Sequence, residues 1–385
     1  MINMRWPGFF PIVGMFMKFP YPTIRLCLAV IVAMLLLTSC GFGYYWQAAT
    51  GHMSMMRLTE PVEDVIVAAQ TSPQLHDKLV GATQAVTFAH EQLLLPDNGS
   101  YTLFADLGRP YVVWNVIAAP PLSLEPRTWC FPVAGCVSYR GYFAQESADK
   151  FAAELRAAGD DVFVGGVLAY STLGRFADPI LNTMMSMSDY RLAGTIFHEL
   201  AHQQLYVPDD TQFNEGFASF VEAEGIRRWL LHRDDVQSLC RYRLEHLRQR
   251  QVLEMLGEIR MTIGGVYASE NSVAAKHEAK TASLASVDVA YERLRATWDG
   301  PPDFDHWFTA PFNNARFAVL ATYDDDVPAF AALLAQSGGD LDEFYRRAAE
   351  LADEPASERR VRLNALLEAA TQVSSGTSIT CPQSG

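Results

Sequence analysis

Two short blocks constrain this chain more than its composition does. The first is Thr195-Ile-Phe-His198-Glu199-Leu-Ala-His202, the second Asn214-Glu215-Gly216-Phe217-Ala218-Ser219-Phe220-Val221-Glu222. On a helix, residues four apart share a face, so His198 and His202 can present imidazole nitrogens to one tetrahedral cation. Glu199 stands one position round from the first histidine, poorly placed to share a cation but well placed to reach a water beside it. That is where hydrolysis needs a base.

A bare H-E-x-x-H motif also occurs without a metal, so the second block decides its weight. A catalytic zinc normally takes three protein ligands, and Glu215 is the candidate for the third. The intervening Val207-Pro208-Asp209-Asp210 reads as a helix stop and a turn, so the chain can reverse. Glu215 would then open a second helix, with Phe217, Phe220 and Val221 as an apolar stripe packing against the first. Glu222 falls two turns further along the same face. Glu222 and Asn214 are candidates for orienting the histidines, because metal-bound imidazoles usually give their other nitrogen to a carboxylate or carbonyl. A solvent-facing helix position explains Glu222 equally well. The plainer reading of the first block is an amphipathic helix whose histidines are hydrogen-bonded beside Ile196, Phe197, Leu200, Ala201 and Leu205; the pairing of the two blocks favours the metal.

Together these blocks resemble the signatures of the gluzincin metallopeptidases, especially the alanyl-aminopeptidase-like branch, over residues 195–222. The resemblance implies Zn2+ held by His198, His202 and Glu215, with Glu199 as general base and then proton shuttle. Two departures stand out. The connector between His202 and Glu215 has twelve residues, shorter than the family's usual spacer. Upstream, Asp161-Val-Phe-Val-Gly165-Gly166-Val reads as the substrate-aligning edge strand, yet it lacks the Glu with which those aminopeptidases hold a substrate's amine. Hydrolytic chemistry carries over; the exopeptidase feature does not. Taken whole, the chain is also similar to a bacterial lipoprotein family described as aminopeptidases. That likeness rests on Trp129-Cys-Phe-Pro-Val-Ala-Gly-Cys136-Val-Ser-Tyr-Arg-Gly141, Ser171-Thr-Leu-Gly174 and Asn313-Asn-Ala-Arg316.

At the N-terminus, Lys18 and Arg25 precede an apolar run of twelve residues, 26–37. This is too short to span a bilayer comfortably and suits a signal-peptide core. Leu37-Thr38-Ser39-Cys40 then resembles a lipobox, which implies lipidation at Cys40 and a partner in membrane lipid. The expected organisation is a signal peptide over 1–39, a lipidated tether over 40–50, one zincin-like domain over 51–370, and a flexible tail over 371–385. The expected location is a bacterial cell envelope, lipid-anchored on the periplasmic face of the outer membrane. An exported chain meets an oxidising compartment. Pro132 and Gly135 favour a turn that brings Cys130 and Cys136 together, so a local disulfide is expected ahead of a metal pair. Whether Cys240 pairs with Cys381 is left open by spacing.

A formal charge of −14 without a basic stripe argues against a nucleic-acid partner. With 49% hydrophobic and 19% charged residues, the chain can bury a sizeable core. The fold expected is α+β and zincin-like: helices over 46–95, a small mixed sheet within 101–170 with one helix near 147–158, then an almost wholly helical region to residue 370. Breaks in that region are expected at Gly264-Gly265, at 299–302, and at 324–328. Tyr170, Tyr206, Tyr267 and Tyr323 are candidates for stabilising an oxyanion. Asn313-Asn314-Ala-Arg316 reads either as a clamp for a substrate carboxylate or as a structural helix cap with a salt-bridged Arg. The function expected is that of a zinc-dependent metallopeptidase, an aminopeptidase by resemblance, hydrolysing peptide bonds at the cell envelope by Glu-assisted attack of zinc-bound water. The alternatives are an envelope scaffold with a structural or vestigial metal, and a metallohydrolase of non-peptide amides.

Overall fold

The computed structural model describes residues 39–131, 135–300, 304–320, 326–373 and 381. The signal-peptide reading of residues 1–38 lies outside them. The chain divides into two units between Thr50 and Gly51. Helix α1 (Ser39–Met56) crosses that boundary, so the stretch expected to be a tether is helical. Among the described residues, no helix is long and apolar enough to cross a membrane.

The second unit opens with β1 (Thr59–Pro61), α2 (Val62–Val67) and α3 (Pro73–Glu91). The chain breaks at Thr71-Ser-Pro73, where Pro73 opens α3 and Ser72 caps it, accepting from the Leu75 amide at 3.2 Å. Strands β2 (Leu103–Ala105), β3 (Val113–Ala119), β4 (Trp129–Phe131), β5 (Gly135–Val137) and β6 (Arg140–Tyr142) follow. Then come α4 (Gln145–Ala157), β7 (Asp161–Val167) and the short β8 (Ile180–Leu181).

These strands do not form the single mixed sheet expected. They make a mixed three-stranded sheet β1-β2-β8, an antiparallel sheet β6-β3-β7 and a β4-β5 ribbon. Most strands span only two or three residues, too short to recruit further neighbours; the seven-residue pair β3 and β7 organises the largest sheet. Strand β7 lies at its edge, antiparallel to β3 from Val113↔Val167 to Ala119↔Asp161. The expectation of an edge strand therefore holds in topology.

From residue 189 the chain is helical: α5 (Asp189–Gln204), α6 (Thr211–His232), α7 (Val236–Ala268), α8 (Val273–Arg295), α9 (Asn314–Leu320), α10 (Val327–Gln336), α11 (Leu341–Ala352) and α12 (Ala356–Val373). The fold is α+β, with small sheets followed by a helical C-terminal region. One expected break is absent, because α7 runs through Gly264-Gly265 and stops at Ser269. A helical glycine costs only about 1 kcal/mol, which the packing of a long helix absorbs. The next helix restarts at Ser272, whose side chain accepts from the Ala275 amide.

The main core joins α3, α5, α6, α10 and α11, and a second core lies between α7 and α8. Helix α6 is buried on more than one side. Its Phe217 and Phe220 rings meet Phe330 and Phe344 of α10 and α11 at centroid distances of 5.1–6.5 Å. That aromatic stripe therefore seats the C-terminal helices, which corrects its expected assignment to α5. Close approach to α5 is made by glycines instead. A Cβ on Gly194 would stand 2.4 Å from Ile226 Cδ1, and one on Gly225 would stand 2.7 Å from Phe197 Cδ2.

Candidate metal and catalytic site

Helices α5 and α6 are set by the connector between them. Asn214 fastens it, accepting from the Val207 amide at 2.8 Å and donating to the Val207 carbonyl at 2.7 Å. Asn214 thus orients the turn rather than a histidine. Asp209 takes a left-handed φ of 65°, a conformation Asp tolerates, and its Oδ1 accepts from the Cys136 amide at 2.9 Å. The Cys130–Cys136 disulfide closes that ribbon, as the spacing suggested, and Cys240 is bonded to Cys381. Asp210 caps α6 through the Phe213 amide and pairs with the buried Arg359 at 2.8 Å. Gly216 has its own reason: a Cβ there would meet Asp326 at 2.7 Å.

This frame brings His198, His202 and Glu215 together. The two Nε2 atoms are 3.1 Å apart, and Glu215 carboxylate oxygens lie 3.4 Å from His198 and 3.7 Å from His202. A tetrahedron with bonds of about 2.05 Å has edges of about 3.3 Å. The three distances bracket that edge, so the trio fits a small tetrahedral cation, and its two nitrogens and one oxygen suit a borderline metal. His198 turns its other nitrogen, Nδ1, to Glu222 at 3.1 Å. Glu222 is therefore placed where the orienting role that its spacing left open requires it. Nδ1 of His202 is buried and without a partner among the described residues.

Burial alone would lower the His198 pKa, but hydrogen bonds to Glu215 and Glu222 outweigh it and hold it well above the usual value. Burial, then the charge on His198, pushes His202 down to about 4. Burial lifts Glu199 to about 7; His198 opposes the rise, and Glu215 and Asp178 add to it. A carboxyl held near neutrality beside the His198–His202–Glu215 cluster is a candidate general base.

Among the candidate tyrosines, the ring of Tyr206 lies 6.4 Å, centroid to centroid, from that of His202. Tyr170 packs against Phe143, and Tyr267 donates to Asn314. Tyr323 lies outside the described residues. The Asn313–Arg316 stretch is structural. Asn313 caps α9 by accepting from the Arg316 amide, while the Arg316 guanidinium is spent on the carbonyls of Trp307 and Ala310 and stacks on Phe312. Among the described residues it meets carbonyls and a ring and no salt-bridge partner of the kind expected.

Four residues near Glu199 carried no chemistry in the sequence reading: Tyr101, Ser171, Thr172 and Asp178. Asp178, 1% exposed, accepts from Thr172 and Ser171. Tyr101 has a left-handed φ of 65° and a buried hydroxyl without a partner among the described residues. Burial, with the charges of Glu199 and Asp178, holds its phenol pKa well above the ordinary value. The only available sequence signal was the Ser171-Thr-Leu-Gly174 run, which implied a family and no role.

Comparison with curated proteins returned no match, and comparison with solved structures returned none. A family model covers residues 43–363, well over half of the chain and including both blocks of the site. On that coverage, the chain belongs to the family described as "Putative aminopeptidase".

Proposed function

We propose that this protein is a zincin-like, zinc-dependent metallopeptidase, with His198, His202 and Glu215 as ligands and Glu199 as general base. The observation that carries the reading is the trio's spacing, 3.1, 3.4 and 3.7 Å between donor atoms, with Glu199 on the adjoining helical position. Family membership supports peptidase activity and suggests the N-terminal end of a peptide as substrate. Zinc, when bound, would polarise a carbonyl and make water acidic enough to be deprotonated near neutral pH. Glu199 takes the proton from the attacking water and returns it to the leaving amine. Glu222 holds His198 in the tautomer that offers Nε2 to the cluster. Tyr206 is the hydroxyl we assign to the developing oxyanion, because its ring stands against His202.

The metal-candidate group has three members among the described residues, the number that leaves a catalytic site one open position. This supports a catalytic centre over the scaffold reading, in which a fourth protein ligand would close the tetrahedron. We further propose that the chain is exported and anchored by lipid on Cys40. The support is the lipobox-like tetrapeptide 37–40 and the twelve-residue apolar run before it.

The test is turnover of a peptide library with free and blocked N-termini by zinc-loaded wild type and Glu199→Gln. Cleavage by the wild type, with a loss of roughly 100- to 10,000-fold in the variant at equal zinc content, is expected. Equal activity in the two proteins would refute the base assignment. Cleavage confined to blocked peptides would remove the aminopeptidase label.

A further inference from the structure

Helix α1 carries no Asp, Glu, Lys or Arg in its eighteen residues, Ser39–Met56. A helix at a protein surface normally turns charged or polar side chains to solvent. In the first unit the exposed positions of α1 are apolar and aromatic instead. Tyr45 is 45% exposed and Trp46 63% exposed, and Ala49 is exposed beside them. Ala49 stands four residues from Tyr45 and three from Trp46, so the three share one face. The Tyr44 ring meets that of Tyr45 edge-on at 5.8 Å, and the Thr50 hydroxyl donates back to the Trp46 carbonyl at 2.7 Å.

Exposed rings of these two types are at home at a membrane–water boundary. There the apolar body of Trp or Tyr sits against acyl chains while its N–H or O–H stays among the head groups. The chain ahead of the helix says why a membrane, of all apolar surfaces, should cover this face. The apolar run 26–37 ends two residues before Ser39, and Cys40, proposed above to carry lipid, falls in the first turn of α1. Either feature brings a bilayer to the start of the helix. At about 1.5 Å per residue, Tyr45 lies roughly 7.5 Å and Trp46 roughly 9 Å along the axis from Cys40. The head-group zone of one leaflet is about 5–8 Å deep, and a helix lying in it sinks its apolar face by about 5–10 Å. Both rings fall within that reach. With a formal charge of −14 and no Lys or Arg on the helix, attraction to anionic head groups cannot supply the contact, so the rings must.

We propose that Tyr45 and Trp46 seat helix α1 in the head-group layer of a membrane, so that the segment following the anchor is an interfacial helix and not a free tether. The inference rests on the anchoring reading above for what brings the bilayer to the helix, and it is independent of the zinc chemistry.

The test uses protein purified from the membranes of cells expressing the full chain, reconstituted in zwitterionic phosphatidylcholine vesicles with and without bromine on the acyl chains. Bromine quenches a tryptophan that it touches. The chain has seven tryptophans, so the signal is the difference between wild type and Trp46→Phe, a conservative change at an exposed position. Wild-type emission should fall in brominated vesicles, and most of that loss should vanish in Trp46→Phe. The difference should be the same at low and high salt, because no charge pairing carries it. Equal quenching of wild type and Trp46→Phe overturns the inference. A solution dimer that Trp46→Ser dissociates would give the face to a second copy of the chain and overturns it as well. If mass spectrometry finds no lipid on the Cys40 peptide, the lipid-anchoring reading fails instead. The same quenching difference, measured after mixing that protein with preformed vesicles, then decides the case of α1 by itself.

Discussion

His198 faces two glutamates of α6 at once, Nε2 lying 3.4 Å from Glu215 and Nδ1 lying 3.1 Å from Glu222. The seven-residue interval between those glutamates is two helical turns, so a single helix face supplies both a proposed ligand and the group hydrogen-bonded to its neighbour. Removing Glu222 leaves the proposed ligand trio in place but frees the imidazole. Glu222→Ala should weaken zinc affinity by roughly 10- to 100-fold, read by competition with a chromogenic chelator. An affinity equal to wild type would remove Glu222 from the site.

Helix spacing is set by glycine. Gly194→Ala puts a Cβ 2.4 Å from Ile226 Cδ1 and 3.2 Å from Glu222 Cγ, so either Ile226 repacks or α5 shifts relative to α6. Overpacking of this kind costs about 1–3 kcal/mol, expected as a lower denaturant midpoint with unchanged slope. Because Glu222 is one of the atoms met, zinc affinity should fall along with stability.

The connector has its own anchor. Arg359, 4% exposed, pairs with Asp210 and donates to the carbonyls of Ala352 and Glu354. Arg359→Ala leaves the partly buried Asp210 carboxylate without its guanidinium partner at the N-cap of α6 and removes the buried Arg359 contacts, a loss on the order of 2 kcal/mol in chemical denaturation. Zinc-binding affinity, measured under conditions that keep the variant folded, should also fall, because Glu215 lies in the second turn of that helix.

The metal-free protein should carry a distinctive pH dependence. Folded Glu199 holds its proton to about pH 7, whereas the unfolded chain releases it near 4.5. Between those values unfolding releases a proton, so a rise in pH favours the unfolded state and stability falls across that window. Glu199→Gln cannot ionise and should escape that loss. Relative to wild type it should gain up to about 3 kcal/mol between pH 4.5 and 7, at about 1.4 kcal/mol per pKa unit. Chelator-treated samples unfolded in urea across this range provide the check, and parallel pH profiles would contradict the placement of Glu199 in a desolvated site.

What the sequence disclosed here was local. His198, Glu199 and His202 are ordered by helical period, and Pro208-Asp209-Asp210 marks the reversal that returns Glu215 to them, so those side chains could be assembled on paper. Asp178 could not. Its partners come from residues 100, 171–172 and 203, and nothing in Phe176-Ala177-Asp178 distinguishes a buried hydrogen-bond centre from a polar turn. The Phe217 and Phe220 stripe had the right period but two candidate neighbours, and periodicity names a buried face without naming what covers it. Gly264-Gly265 failed as a break because glycine permits a turn without requiring one. Asn313–Arg316 offered two readings, and only the carbonyls around Arg316 separate them.

The most direct measurement is anomalous diffraction at the zinc edge from crystals grown with zinc, paired with elemental analysis of the same protein. The expected result is one zinc per chain, about 2.0–2.2 Å from Nε2 of His198, Nε2 of His202 and the Glu215 carboxylate. A zinc-replete crystal with no anomalous peak there, and the three side chains turned apart, would contradict the metal centre and the hydrolytic mechanism built on it.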